Sequence, residues 1–172
     1  MDRWAIVDGN NWVNIDYFGA KKGQFSPATA RDNFMARLFD VTAKIGAVET
    51  FVCFDSEVSW RRQYIESVAQ SVDIGYKAGR SEKKADFWET IGLIWDAVCD
   101  SDYAVIRKEG FEADDMIADL TYEATQEGIQ SVIYSSDGDL HQCLDTGMVT
   151  QCTRVRRVFG GNIEYTYMTS AK

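Results

Sequence analysis

Apolar residues fall along this chain in short buried runs alternating with longer stretches of helical spacing. The run WAIVD (4–8) reads as a strand that ends in an acid. Ser26-Pro27 predicts a helix start, with a capping hydroxyl followed by proline at the first helical position. Phe34, Leu38, Val41 and Ile45 then recur at helical spacing until Gly46 stops them. VETFVCFD (48–55) is a second strand ending in an acid, and a helix follows over 60–69. DIGYKAGRSEKK (73–84) is basic and turn-rich. In ADFWETIGLIWDAVCD (85–100), Phe87, Ile91, Ile94 and Val98 line one helical face. YAVIRK (103–108) is a third strand, and a helix begins within FEADDMIADL (111–120) and runs to about Gly128. SVIYSS (131–136) is a fourth strand; MVTQCT (148–153) and NIEYTYM (162–168) are weaker strand candidates.

Strands alternating with helices predict an α/β fold, a three-layer αβα sandwich around a mainly parallel twisted sheet with right-handed crossovers. The 172 residues suffice for one domain with a real core, and we find no internal repeat, low-complexity tract or linker. No apolar run approaches the length of a membrane span, and the N-terminus carries no signal-peptide pattern. Cys53, Cys99, Cys143 and Cys152 lack CxxC pairing. They read as free thiols of a reducing compartment rather than as a disulfide or zinc site.

The acids change the picture. Asp8 ends strand one and Asp55 ends strand two. Glu112, Asp114 and Asp115 follow strand three, and Asp137 and Asp139 follow strand four. In an open parallel sheet the carboxyl ends of the strands share one edge, where ligands bind. Four segments thus deliver seven carboxylates to one rim. Acids at a helix N-terminus favour the macrodipole, but that explains only the Glu112 segment. Two like charges about 4 Å apart repel by roughly 4 kcal/mol at an effective dielectric of about 20. Hard divalent cations would relieve this repulsion. An all-oxygen set without histidine or cysteine suits magnesium or manganese, and two such ions favour phosphoryl transfer. The alternative is a set of unrelated acids in surface turns, where Asp is common.

The formal net charge of −9 argues against a nucleic-acid partner, but the basic residues bunch. YKAGR (76–80) offers cations for phosphate and an aromatic ring for an unpaired base, or is a solvated loop. Arg61 and Arg62 could hold a further phosphate or lie on a solvated helix face, and RVRR (154–157) reads as a charged hairpin edge. His141, the only histidine, is an ordinary polar residue or a proton shuttle beside Asp139; Trp88 and Trp95 read as core or interface.

The segments VDGNN (7–11), FVCFDSEVSWRRQ (51–63), YKAGR (76–80), EGFEADDMIADL (109–120) and YSSDGDLHQCL (134–144) together resemble the 5'-nuclease family. That family includes the 5'-to-3' exonuclease domain of bacterial DNA polymerase I, bacteriophage 5'-exonucleases and flap endonucleases. The resemblance implies a PIN-like (resolvase-like) domain that cuts DNA near a 5' end or flap, leaving a 5'-phosphate and a 3'-hydroxyl. It implies that Asp8, Asp55, Glu112, Asp114, Asp115, Asp137 and Asp139 bind Mg2+ or Mn2+, two ions in all. It suggests that Lys77 and Arg80 contact the scissile phosphate, that Tyr76 stacks near the displaced base, and that Arg61 contacts DNA near the 5' end. The setting it implies is bacterial or phage-infected cytoplasm.

The family continues into a helix–three-turn–helix element and a Gly-Asp-x-x-Asp motif, which would begin about where this chain ends. The expectation is therefore a catalytic domain without its duplex clamp and with an incomplete second ion site, whose missing part could come from a second chain. Gly138 also stands where the family often has lysine. Two other readings remain at this point: a PIN-type ribonuclease, and a non-catalytic DNA-binding subunit.

Overall fold

The computed structural model describes residues 1–19, 26–68, 84–157 and 163–170. Tyr76, Lys77 and Arg80 lie outside the described residues.

Six strands form one sheet: β1 (Arg3–Asp8), β2 (Glu49–Cys53), β3 (Ala104–Ile106), β4 (Gln130–Tyr134), β5 (Val149–Arg157) and β6 (Ile163–Met168), in the order β3-β2-β1-β4-β5-β6. β1 to β5 pair in parallel, and β6 returns antiparallel along β5. The chain builds outward from β1 to β2 and β3, then crosses to the other side of β1 to lay down β4. The order of strands therefore reverses between β1 and β4, and crevices at such reversals bind ligands. Val7 pairs with Val52 on one side and Tyr134 on the other, so the carboxyl ends of these three strands lie level.

Alternation along β1 divides the core in two. Ala5 and Val7 face a cluster with Trp12, Phe34, Leu38, Phe87, Ile94 and Val98. These side chains come from α1 (Gly9–Gly19), α2 (Pro27–Ile45) and α4 (Ala85–Cys99). Trp4 and Ile6 face the opposite cluster, with Met116 and Ile117 of α5 (Ala113–Gln126) and Leu140 of a 3-10 helix (Gly138–Cys143). The three-layer α/β fold expected from the periodicity is the one observed. Among the described residues, no helix is long and apolar enough to cross a membrane.

The pattern missed α1. GNNWVNIDYFG has three asparagines between glycines, and these residues have poor helix propensity. Tertiary contacts supply what propensity lacks. Asp8 Oδ1 accepts the Asn11 N–H at 2.9 Å, as an N-cap does, and Trp12 and Val13 bury into the core. Gly9 is required there, because a Cβ would stand 2.6 Å from the Phe54 ring.

Other expectations need adjustment. Ser26 does precede α2, but its hydroxyl makes no cap bond; its carbonyl accepts the Ala30 N–H, and Pro27 starts the helix. Gly46 ends α2 in the left-handed region at φ 60°, as anticipated. β5 runs four residues further than its apolar pattern suggested, because RVRR is carried in the antiparallel ladder with β6, where Arg154 pairs with Thr166 and Arg156 with Glu164. Trp95 packs edge-on against Phe54 in the core region, whereas Trp88 is largely exposed and touches Phe87. All four cysteines are free thiols.

Candidate active site

The carboxyl ends of β1, β2 and β4 and the start of α5 carry the acids. Asp8 is the last residue of β1 and is almost fully buried. Its Oδ1 accepts the Asn11 N–H and its Oδ2 accepts the Ser135 hydroxyl, each at 2.9 Å. Burial raises its pKa to about 7, against the two hydrogen bonds that favour the charged form; the nearby charges of Asp114 and Asp55 push it further up.

Asp55 lies two residues beyond β2. Its Oδ1 accepts the Ala113 N–H at 2.9 Å, so it satisfies a donor at the first turn of α5. Its own N–H donates to Asn10 Oδ1 at 2.9 Å. Asn11 makes the matching bridge to the other side: its Oδ1 accepts the backbone N–H and hydroxyl of Ser136, each at 3.1 Å. One dipeptide, Asn10-Asn11, thus ties the first turn of α1 to the loops after β2 and β4.

The β2–α3 and β3–α5 loops are also fastened to each other, α3 being Trp60–Val68. Ser59 and Gly110 form an isolated bridge, and the Trp60 N–H donates to the Gly110 carbonyl at 2.7 Å. This brings Arg61 over the acids at the head of α5. Its Nη2 lies 2.6 Å from Asp115 Oδ1, its Nη1 lies 2.9 Å from Asp115 Oδ2, and Nη1 is 3.4 Å from Glu112 Oε2. Asp115 Oδ2 also accepts the Glu112 N–H at 3.0 Å.

Asp114 stands between these groups. Among the described residues its carboxylate has no hydrogen bond. Burial first, then the charges of Asp137, Asp55 and Glu112, raise its pKa to about 6, partly offset by Arg61. Asp137 caps the 3-10 helix, its Oδ1 accepting the Asp139 N–H at 3.0 Å. The Asp137 N–H in turn donates to Ser135 Oγ at 3.1 Å.

Of the seven acids singled out from the sequence, Asp8, Asp55, Glu112, Asp114 and Asp137 share one electrostatic field. Asp115 turns to Arg61, and Asp139 is exposed on the 3-10 helix together with His141. Among the described residues, no three acidic, histidine or cysteine side chains stand close enough to form a ready-made ion shell. The hydrogen bonds on Asp8, Asp55 and Asp115 direct those oxygens toward protein donors.

The supporting residues were not legible as such. Asn10 and Asn11 were visible only as part of VDGNN. Ser135 and Gln151 carried no signal of their own. Gln151 is fully buried and donates Nε2 to the carbonyls of Ser135 and Asp137, each at 2.8 Å, which holds the loop after β4 in place.

The family model for the 5'-3' exonuclease N-terminal resolvase-like domain matches residues 3–169. The thermostable DNA polymerase I of Thermus thermophilus is 30% identical over 144 residues, covering 81% of this chain and 16% of that protein. A 5'-3' exonuclease of Mycoplasmopsis pulmonis is 26% identical over 145 residues, covering 84% of this chain and 46% of that one. The chain therefore spans less than half the length of either. Among solved structures, a bacteriophage T5 flap endonuclease aligns with a TM-score of 0.65 at 20% identity, over 87% of this chain and 54% of that one. Human GEN1 aligns with a TM-score of 0.61 at 13% identity, over 96% of this chain and 38% of that one. The family model covers nearly the whole chain and the fold agrees with it: this chain belongs to the family of 5'-3' exonuclease N-terminal, resolvase-like domains.

Proposed function

We propose that the chain is the catalytic domain of a divalent-metal-dependent 5'-nuclease that hydrolyses DNA phosphodiesters near a 5' end or flap. The products are a 5'-phosphate and a 3'-hydroxyl. The observation that carries this reading is the position of Asp114, a carboxylate free of protein donors among the described residues and in the field of Asp137, Asp55 and Glu112. A fold that gathers such charge at a sheet reversal suits a cationic ligand. All-oxygen donors fit hard ions such as Mg2+ or Mn2+. The relatives support the same chemistry: the T5 flap endonuclease was solved with DNA and metal ions, and GEN1 with Holliday junction DNA.

In this reading Asp55, Glu112, Asp114, Asp137 and Asp139 offer oxygens to two ions, and Asp8, buried at the centre of the rim, adds negative field behind them. When bound, the ions supply Lewis acidity to the phosphate ester and favour deprotonation of water. Lys77 and Arg80 bind the scissile phosphate and offset charge on the leaving oxygen, and Tyr76 stacks on the displaced base. The setting is the cytoplasm of a bacterial or phage-infected cell.

The test uses purified chain, labelled 5'-flap DNA and single-stranded RNA, with Mn2+ or Mg2+ and Asp114→Ala as control. Metal-dependent cutting of the flap DNA, lost in Asp114→Ala and in chelator, is the expected result. Preference for RNA would replace the reading with a ribonuclease, and tight metal-dependent DNA binding without cutting would replace it with a binding subunit.

A further inference from the structure

Resting on the metal-nuclease reading, we infer that Arg61 is a positioning residue and that Asp115 is its anchor rather than an ion ligand. The pair sets the head of α5 so that Glu112 and Asp114 face the ions.

Asp115 accepts three hydrogen bonds from protein donors. Both carboxylate oxygens take the arms of one guanidinium, and Oδ2 takes the Glu112 N–H as well. A bidentate fork of this kind fixes the plane of a carboxylate. A side chain so held has little left to offer a cation, whereas Asp114, one residue earlier, has no hydrogen bond among the described residues. Adjacent helical positions point about a quarter-turn or more apart, so one acid can serve the scaffold while its neighbour serves the ligand.

Arg61 reaches this position through backbone contacts. The Ser59–Gly110 bridge and the Trp60-to-Gly110 hydrogen bond fasten the start of α3 to the loop that leads into α5. The fork then fixes Asp115, Asp115 holds the Glu112 N–H, and the second arm of Arg61 reaches Glu112 Oε2 at 3.4 Å. Orientation thus passes from α3 to the carboxylates at the head of α5. A guanidinium placed only for its charge would oppose a divalent ion. Its value here lies in geometry, as with the outer partners of other metal ligands, whose loss weakens metal binding by about 10–100-fold.

Coulomb's law and positioning predict opposite signs, which makes the idea testable. Removing a cation beside the acids should tighten Mn2+ binding if charge alone mattered. We expect Arg61→Ala and Asp115→Asn each to weaken Mn2+ binding by about tenfold, read by calorimetry on the full chain. We expect the double variant to be no weaker than either single, because the two residues act as a unit. Arg61→Lys, which keeps the charge and loses the fork, should resemble Arg61→Ala. Circular dichroism confirms that each variant is folded, and Asp114→Asn serves as the ligand control, losing more than either.

Tighter Mn2+ binding in Arg61→Ala overturns the inference. So does a further loss from Asp115→Asn in the Arg61→Ala background, which would mark Asp115 as a ligand. Wild-type chain that neither binds Mn2+ nor cuts DNA overturns the nuclease reading instead. The same variants then decide the pair by thermal unfolding, where additive effects overturn the coupling and non-additive effects retain it.

Discussion

The Ser135 hydroxyl donates to Asp8 Oδ2 at 2.9 Å, joining the ends of β1 and β4 where the strand order of the sheet reverses. Two residues 127 apart in sequence thereby fix the floor of the acidic rim. This bond stabilises the charged form of Asp8 against burial. Ser135→Ala should therefore cost about 1.5–3 kcal/mol at pH 8, where Asp8 is charged, and less at pH 5, where it holds a proton. Urea unfolding at the two pH values measures the difference. Equal losses at both would show that the bond does not serve the charge.

Asp8 also sets how the metal-free protein responds to pH. Its folded pKa of about 7 lies above the ordinary value near 4, so between these limits the folded state holds a proton that the unfolded state releases. The contribution of Asp8 is thus fully present below about pH 4 and is lost as pH rises through about 7, on the order of 3–4 kcal/mol. In chelator, wild-type stability should carry this falling component between pH 5 and 8, and Asp8→Asn should remove it. Added Mn2+ at pH 8 should restore stability to wild type more than to the variant.

Asp114 should show function opposed to stability. Its pKa of about 6 means that its charge opposes folding at pH 8, chiefly through burial and then through Asp137, Asp55 and Glu112. Asp114→Asn should raise metal-free stability at pH 8 by about 1 kcal/mol, after allowance for its partial exposure. Mn2+ binding should fall more than tenfold, and cleavage should be lost. A variant that is both less stable and still active would refute this assignment.

Gln151 has a purely supporting task. Gln151→Leu removes the donor shared by the Ser135 and Asp137 carbonyls in a buried setting. The expected loss is about 2–4 kcal/mol, with reduced Mn2+ affinity because the loop carrying Asp137 is no longer held. Thermal unfolding with and without Mn2+ separates the two effects.

Gly9→Ala should destabilise by about 1–3 kcal/mol, because its Cβ would meet the Phe54 ring. Trimming the ring with Phe54→Leu should recover part of the loss in the double variant. A double variant whose losses simply add would show that the clash is not the cause.

The sheet and most helices were legible because burial imposes periods on sequence. The continuous apolar run of WAIVD, buried on both faces of the sheet, and the helical spacing from Phe34 to Ile45 follow from which faces meet the core. The ends of β1, β2 and β4 could likewise be assigned to one edge, because parallel strands share direction. α1 escaped notice because its residues have weak helical preference, and its support comes from Asp8 and from the burial of Trp12 and Val13 in the core.

The residue pattern alone carried the order of the strands and of most helices, and it set the acids at strand ends that share one edge. The use of each acid was set by the folded neighbourhood. It turned Asp115 to Arg61, lodged Asp8 against Ser135, set Asp55 on the Ala113 N–H and left Asp114 without a donor among the described residues. The physical reason is that a carboxylate's role depends on which donors and charges surround it, and those neighbours lie 54, 127 and 58 positions away along the chain.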